Sequence, residues 1–226
     1  MNKNPGGDRN MRLVLVGPPG SGKGTQAKLL VERLSLRYIG TGEILREAIR
    51  LGTPTGKLAK PFIDRGDLVS DNLVNELIAE VFQLGNRPDN FVLDGYPRTI
   101  AQAIWFDHFL ANINIQLNGV IRFLVDDEEV VQRISGRWVC PQCKKNYHQI
   151  VRPPKVSQIC DDCKTPLAQR ADDREETIRA RLRVFHQSAD LLIDHYRKIG
   201  LLFEIPTNQP VEVIYQSIVD QLKVKQ

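Results

Sequence analysis

The chain has 226 residues, 42% of them hydrophobic and 26% charged, with a formal net charge of +4. That suffices for one sizeable core carrying insertions, or at most two small domains, and no run approaches the ~18–20 consecutive apolar residues of a membrane span. The mild positive balance fits either a solvated surface with surplus lysines or arginines gathered round an anionic ligand, and the positions of the arginines decide between them.

Residues 1–10 are polar, contain Gly6 and Gly7, and lack the apolar stretch of a secretory signal. They read as a disordered N-terminal extension of a cytoplasmic protein, in which cysteines are thiols or metal ligands rather than disulfides. Arg12 to Val16 is a short apolar run suited to a strand buried on both faces. Gly17-Pro18-Pro19-Gly20-Ser21-Gly22-Lys23-Gly24-Thr25 follows, and helical spacing runs over 25–34. Strand, glycine-rich loop, lysine and helix together are the context of a phosphate-binding loop. The glycines let successive N–H groups point at phosphate oxygens, the helix N-terminus adds partial positive charge, and Lys23 reaches the β- and γ-phosphates. The general pattern places Ser or Thr directly after the lysine. Here Gly24 stands there and Thr25 comes one place later, which weakens direct hydroxyl ligation of magnesium and points to a subfamily.

Residues 41–69 read as short helices punctuated by Gly52, Pro54, Gly56, Pro61 and Gly66. A helical stretch over 71–82 precedes a buried strand at Phe91-Val92-Leu93. Asp94 ends that strand as an acid placed to orient magnesium through its waters, or else as a helix cap. Helical spacing over 100–110 leads to an apolar strand over 120–125. Residues 136–173 break the rhythm with Pro141, Pro153, Pro154, Pro166 and all four cysteines. A long charged amphipathic helix over 172–199, capped by Asp172 or Asp173, and a last strand over 201–205 close the chain. Strands alternating with helices predict an α/β protein with a parallel sheet.

Cys140-Pro141-Gln142-Cys143 and Cys160-Asp161-Asp162-Cys163 are two C-x-x-C pairs separated by sixteen residues. Two such knuckles in one small insertion fit tetrahedral Cys₄ zinc, structural because no coordination position is left for substrate. A segment of under forty residues has little core of its own, and metal binding would stabilise it. His148 reads as a packing or hydrogen-bonding residue rather than a further ligand.

The run from Gly17 to Gln26 closely resembles the phosphate loop of the adenylate kinases. Thr41-Gly42-Glu43-Ile44-Leu45-Arg46, Leu93-Asp94-Gly95-Tyr96-Pro97-Arg98-Thr99, and Arg170-Ala171-Asp172-Asp173 with Arg181 downstream agree in order and spacing. The resemblance covers nearly the whole chain from Met11. It implies a P-loop NTPase-type α/β fold with a five-stranded parallel sheet flanked by helices. The core would comprise residues 11–39, 70–135 and 174–226, an AMP-binding helical insertion 40–69, and a zinc-bearing lid 136–173. It implies reversible phosphoryl transfer, ATP + AMP = 2 ADP, with Mg²⁺ accompanying ATP and structural Zn²⁺ in the lid, in a monomer without nucleic-acid or membrane partners.

Residue by residue, the resemblance places Gly20, Ser21, Gly22, Lys23, Gly24, Thr25, Arg133, Arg137, Tyr147 and Gln209 at ATP. It places Thr41, Gly42, Arg46, Asp67, Val69, Gly95, Arg98, Gln102, Arg170 and Arg181 at AMP. Lys23, Arg98, Arg133, Arg137, Arg170, Arg181 and Asp94 would carry catalysis. Arg46 would grip the AMP phosphate, Gln102 would read the adenine with an amide that both donates and accepts, Arg170 and Arg181 would clamp the transferring group, and Asp172 and Asp173, besides any capping, would hold the lid to the core by pairing with basic residues. The acceptor oxygen of AMP is already anionic, so no general base is needed. Glu43, Tyr96 and Gly40 depart from the commoner aspartate, phenylalanine and serine without removing a needed charge. Gln209 leaves the choice of ATP or GTP open. The rival readings are a kinase for UMP, CMP or GMP, a zinc-ribbon nucleic-acid-binding ATPase, and a P-loop switch protein. The cysteine segment lacks the dense basic and aromatic interleaving that the second would need, and the arginine pairs would lack a purpose in the third.

Overall fold

A computed structural model describes residues 10–83 and 87–224; the expected N-terminal extension lies outside the described residues except for Asn10. The chain runs β1 (Arg12–Val16), α1 (Lys23–Leu34), β2 (Arg37–Gly40), α2 (Thr41–Arg50), α3 (Pro54–Arg65) and α4 (Asp71–Val81). It continues with β3 (Phe91–Asp94), α5 (Ile100–Asn112), β4 (Gly119–Leu124), α6 (Asp127–Ser135), β5 (Arg137–Val139) and β6 (Asn146–His148). A single helical turn at Ala171–Asp173 then precedes α7 (Glu175–Lys198), β7 (Leu202–Pro206) and α8 (Val211–Val224).

Five strands form one parallel sheet in the order β2-β3-β1-β4-β7. Successive side chains of a strand point to opposite faces, so a strand covered on both faces must be apolar throughout. In β1, Val14 and Val16 join the core formed with α4, α5 and α7, whereas Leu13 and Leu15 join the opposite core with α1 and α8. On the first face Phe82 meets Phe91, Phe106 and Phe109 edge-on, with ring centroids 5.2, 6.1 and 5.8 Å apart. Such pairs add about 0.5–1.5 kcal/mol each beyond burial.

The strand order reverses about β1, since the chain passes to β3 on one side and β4 on the other. Ligand crevices of open α/β sheets lie at the carboxyl ends of the strands at such a point. Here the register pairs Leu15 with Asp94 and Asp94 with Gly40, which sets the phosphate loop, Asp94 and Thr41 along one edge.

Two segments stand off this frame. The first is the α2–α3 hairpin. Thr53 caps α3 by accepting from the Gly56 N–H at 3.1 Å, Pro54 starts the helix, and Gly66 ends it at φ 81°. The second carries the antiparallel β5–β6 pair and the cysteines, and its buried residues Cys140, Tyr147, Cys160 and Leu167 form a cluster separate from the main cores.

The structure corrects the sequence reading in two places. The strand Arg37–Gly40 escapes periodicity because it is short, begins with exposed Arg37 and lies at the sheet edge. The long helix begins at Glu175 rather than at 172, with Arg174 at its N-cap, so neither Asp172 nor Asp173 caps it. Both aspartates are buried in the preceding turn and turned towards arginines.

In the hairpin, a Cβ added at Gly56 would overlap the backbone carbonyl of Ala48, which cannot move without unwinding α2. Gly56→Ala is expected to destabilise the protein by about 2 kcal/mol or more. A fall in the denaturation midpoint by urea titration would show it, and an unchanged midpoint would refute the close helix contact.

Candidate functional site

A cleft of about 1260 Å³ opens at the carboxyl edge of the sheet. That exceeds the ~300–1,000 Å³ of ordinary small-molecule sites and leaves room for two ligands of nucleotide size. Its floor is the phosphate loop. Gly20 and Gly22 take φ of 74° and 94°, a region where L side chains are strained, and a Cβ at Gly20 would strike Ile134 of α6 at 2.6 Å. The loop is thereby packed against the helix that carries Arg133. Lys23 Nζ donates to the carbonyls of Gly17 and Pro18 at 2.7 Å each and to Ser21 Oγ at 3.2 Å, so all three donors serve the loop itself. Burial pushes the Lys23 ammonium down to about 8, partly offset by Asp94 and reinforced by Arg98, Arg181 and Arg137.

Asp94 lies beside the loop, and its carboxylate accepts from the Tyr38 hydroxyl at 3.3 Å. A Cβ at Gly24 would meet only Asp94 Oδ2, at 3.8 Å, so the missing Ser or Thr leaves open space between α1 and the acid. Thr25 is exposed one residue later.

Arg46, Arg98, Arg133, Arg137, Arg170 and Arg181 all line this cleft. Burial, with Arg181 nearby, holds Arg98 below the ordinary guanidinium value, and burial with Arg137 does the same to Arg170. Arg181 is lowered chiefly by burial, against the pull of Asp172. Each remains charged at working pH.

Counter-charge comes from two neighbouring aspartates. Arg181 Nη1 donates to Asp172 at 3.0 Å, and Arg46 Nη1 lies 4.0 Å from the same carboxylate. Arg137 grips Asp173 with Nε at 2.8 Å and with Nη2. Burial opposes ionisation of Asp172, yet Arg181 and Arg46 hold it below the usual carboxylate range. Arg133 pairs with Glu129 on its own helix and donates to the Thr207 carbonyl at 2.9 Å.

A smaller cavity beside the cleft is lined by Thr41, Gly42, Arg46, Asp67, Val69, Gly95, Arg98, Gln102 and Arg181, with Arg170 on the main cleft alone. Thr41 Oγ1 donates to the Gly95 carbonyl at 2.9 Å, and Arg98 Nε to the same carbonyl at 2.7 Å, which joins the two motifs. Gln102 is 2% exposed and tied at both ends of its amide. Asp67 pairs with Arg65 at the rim.

Gly20, Ser21, Gly22, Gly24, Thr25, Tyr147 and Gln209 line the large cleft. Tyr147, however, has its ring in the lid's own core, 3% exposed. Its oxygen accepts the Asp161 N–H at 2.8 Å, which directs its proton to Cys160 Sγ at 3.4 Å. His148 Nδ1 accepts from the N–H groups of Ile150 and Val151 at 3.1 and 3.2 Å. Nε2 therefore carries the proton and donates to the Gln132 carbonyl at 3.2 Å, tying β6 to α6.

The sequence reading missed Tyr38, which sits in the strand it did not see, and Asp71, whose place at the start of α4 looks like ordinary helix-terminus chemistry. In the fold the Tyr38 hydroxyl lies over Gly40, where an added Cβ would strike it at 2.5 Å, a contact the sequence alone does not announce.

The four cysteine sulfurs lie within 4.8 Å of one another. Cys140 and Cys163 approach to 3.2 Å, Cys160 and Cys163 to 3.5 Å, and Cys143 and Cys160 to 3.6 Å. None is in a disulfide. Zinc with tetrahedral Zn–S bonds of ~2.3 Å sets sulfurs about 3.8 Å apart, so the set fits a structural zinc. The Cys163 N–H, with the Tyr147 hydroxyl next, draws the Cys160 thiol down to about 6, towards the thiolate that a metal needs.

The family model described as adenylate kinase matches residues 15–201. The chain is 44% identical to an adenylate kinase of Archaeoglobus fulgidus over 208 residues, 92% of this chain and 96% of the relative. It is 44% identical to those of Acidothermus cellulolyticus and Geotalea daltonii over 213 residues, 94% of this chain and 98% and 100% of theirs.

Lys23 gives a test of the phosphate cradle. Its ammonium holds a proton less firmly in the folded protein than in the unfolded chain. Between about pH 8 and the ordinary lysine value the unfolded state therefore binds more protons, and this group's contribution to stability rises with pH in that window. A polyphosphate beside Lys23 reverses the shift. Binding of magnesium–ATP is expected to take up protons at pH 8, where Lys23 is partly deprotonated, and fewer at pH 6. Calorimetry in buffers of different ionisation enthalpy measures this. The uptake should vanish in Lys23→Arg, and equal uptake at both pH values would contradict the assignment.

Proposed function

Because the chain belongs to the adenylate kinase family and transfers a phosphoryl group between ATP and AMP, we propose that the cleft divides into an ATP side on the phosphate loop and an AMP side against α2 and α3. The convergence of Lys23 with Arg46, Arg98, Arg133, Arg137, Arg170 and Arg181 on one cleft, from separate parts of the chain, carries this reading. Two polyanions must face each other while charge spreads over the three equatorial oxygens of the transferring group. There is little covalent work to do, so positioning and electrostatic stabilisation supply the catalysis.

On the ATP side, the backbone of Gly20 to Thr25 cradles the phosphates, and Lys23 leaves its loop carbonyls to reach the β- and γ-oxygens. Arg133 and Arg137 approach from α6 and β5, where Thr207 and Asp173 hold them in place. Gln209 sits on the rim where the base of ATP would lie. Tyr147 acts there through the lid core rather than by an exposed ring face. On the AMP side, Arg46 and Arg98 hold the phosphate, Thr41, Gly42, Asp67, Val69 and Gly95 shape the pocket, and Gln102 reads the base. Arg170 and Arg181 bracket the transferring group, where bidentate guanidinium contacts suit its oxygens. Magnesium accompanying ATP would neutralise phosphate charge on the ATP side. Asp94, fixed by Tyr38, faces that place and would hold the ion through its waters. Removing one such charge-stabilising donor costs about 10²–10³ in kcat.

The moving parts follow the fold. Of the described residues, those within 11–39, 70–135 and 174–226 would form the core, 40–69 the AMP-binding flap, and 136–173 the lid. Cys143 and Lys144 of the lid and Glu43 and Arg46 of the flap line the same cleft, so closure of both would exclude water from the transfer. The zinc knuckles give the lid the rigidity its few apolar residues cannot. No helix among the described residues is long and apolar enough to cross a membrane, and the ring of Tyr147 packs into the lid's own core. A cytoplasmic monomer without those partners is the reading we adopt.

The test mixes the zinc-loaded protein with ATP, magnesium and each of AMP, GMP, CMP and UMP in turn. Reversible formation of ADP with AMP, at least about a hundredfold faster than with the others, is the expected outcome. Preference for another monophosphate would overturn the base assignment at Gln102.

A further inference from the structure

We propose that Asp71 is a positioning residue that sets the base specificity of the AMP side by locking the orientation of the Gln102 amide. This rests on the assignment of Gln102 to the base of AMP.

A primary amide is nearly symmetric in shape, but its two ends have opposite hydrogen-bonding character. Which end faces a ligand is decided by what surrounds it. At Gln102 the surroundings leave no choice. Nε2 donates to Asp71 Oδ1 at 2.8 Å, and Oε1 accepts the Arg98 N–H at 2.7 Å. Asp71 as a carboxylate only accepts, and a backbone N–H only donates. Turning the amide over would set oxygen against carboxylate and N–H against N–H, replacing two hydrogen bonds with two repulsions in a site 2% exposed.

The lock is itself anchored. The second Asp71 oxygen accepts from Thr99 Oγ1 at 3.1 Å, and Thr99 Oγ1 accepts the Gln102 N–H at 3.1 Å in capping α5. Asp71 is the first residue of α4, where the helix N-terminus favours negative charge. The carboxylate thus joins the start of α4 to the start of α5.

The amide retains one lone pair on Oε1 and one hydrogen on Nε2, and the side chain lines the small cavity. An acceptor beside a donor complements an adenine edge, which offers an amino group next to a ring-nitrogen acceptor. A 6-oxopurine such as hypoxanthine or guanine offers an oxygen acceptor next to an N–H and would need the amide reversed. By forbidding that reversal, Asp71 makes the 6-oxopurine leave buried polar groups unpaired, the situation in which hydrogen-bonding sites discriminate strongly.

The test compares kcat and KM for AMP and IMP at saturating magnesium–ATP, alongside thermal denaturation. The variants are Asp71→Asn, Asp71→Ser, Asp71→Glu and Gln102→Met. Asp71→Asn, whose amide can accept or donate, is expected to narrow the AMP-to-IMP ratio of kcat/KM about tenfold, mainly through KM. Asp71→Ser should do the same, and it keeps the proposal testable should the asparagine variant not fold. Asp71→Glu, which keeps an acceptor-only group, should hold the ratio within about threefold of wild type. A ratio unchanged in Asp71→Asn or Asp71→Ser, with only the melting temperature lowered, would overturn the proposal and leave Asp71 a helix brace. If Gln102→Met also leaves the ratio unchanged, the assignment of Gln102 itself fails; if Gln102→Met collapses the ratio while the Asp71 variants do not, only the lock fails.

Discussion

Asp172 and Asp173 are the joint on which the cleft depends. Asp172 binds Arg181 of α7 and faces Arg46 of α2, while Asp173 holds Arg137 of β5. One dipeptide, 7% and 5% exposed, therefore connects core, flap and lid. A protein that handles two polyanions must gather cations in one place and stay folded when the anions are absent. Burial and mutual repulsion already act on Arg98, Arg170, Arg181 and Lys23. Two fixed carboxylates at the junction offset that repulsion and also aim the guanidiniums. Removing one partner of such a buried pair costs about 3–5 kcal/mol, because the charge left behind has no water to turn to.

The sheet brings the remaining groups to the same edge. Parallel register aligns the ends of β1, β2 and β3, so the phosphate loop, Thr41 and Asp94 emerge side by side. The apolar sequences of β1 and β3 are what both-face burial demands, and that burial makes the platform stiff. On it sit short, specific contacts: Gly20 against Ile134, Thr41 on Gly95, and Arg133 on Thr207. The lid stands outside the platform with a small core of its own, which is why four cysteines and a hydrogen-bonded tyrosine are concentrated there.

Much of this was legible in the sequence because the signals are local. The phosphate loop declares itself through glycines, a lysine and a flanking apolar strand, and the zinc knuckles through spacing alone. The central strands are legible because both faces are buried. What was not legible depends on distance along the chain. The edge strand Arg37–Gly40 has only one well-buried half. The resemblance already implies that Asp172 and Asp173 pair with basic residues, but which ones is fixed only when arginines 35 or more residues away, at 46 and 137, are brought against them. That Tyr147 packs its ring into the lid's own core while still lining the cleft follows from tertiary packing and not from its place in the sequence. Asp71 gains its meaning only from Thr99 and Gln102, across two helices.

The most direct measurement of the charge-balance argument is the stabilisation of wild type and Asp172→Asn by a dinucleoside polyphosphate long enough to span both sides of the cleft. Without ligand, Asp172→Asn should melt lower than wild type. With saturating ligand its melting temperature should rise by more than that of wild type, because the phosphates restore counter-charge that the variant lacks. An equal or smaller rise, or an unchanged melting temperature without ligand, would show that Asp172 does not balance the cations of the cleft.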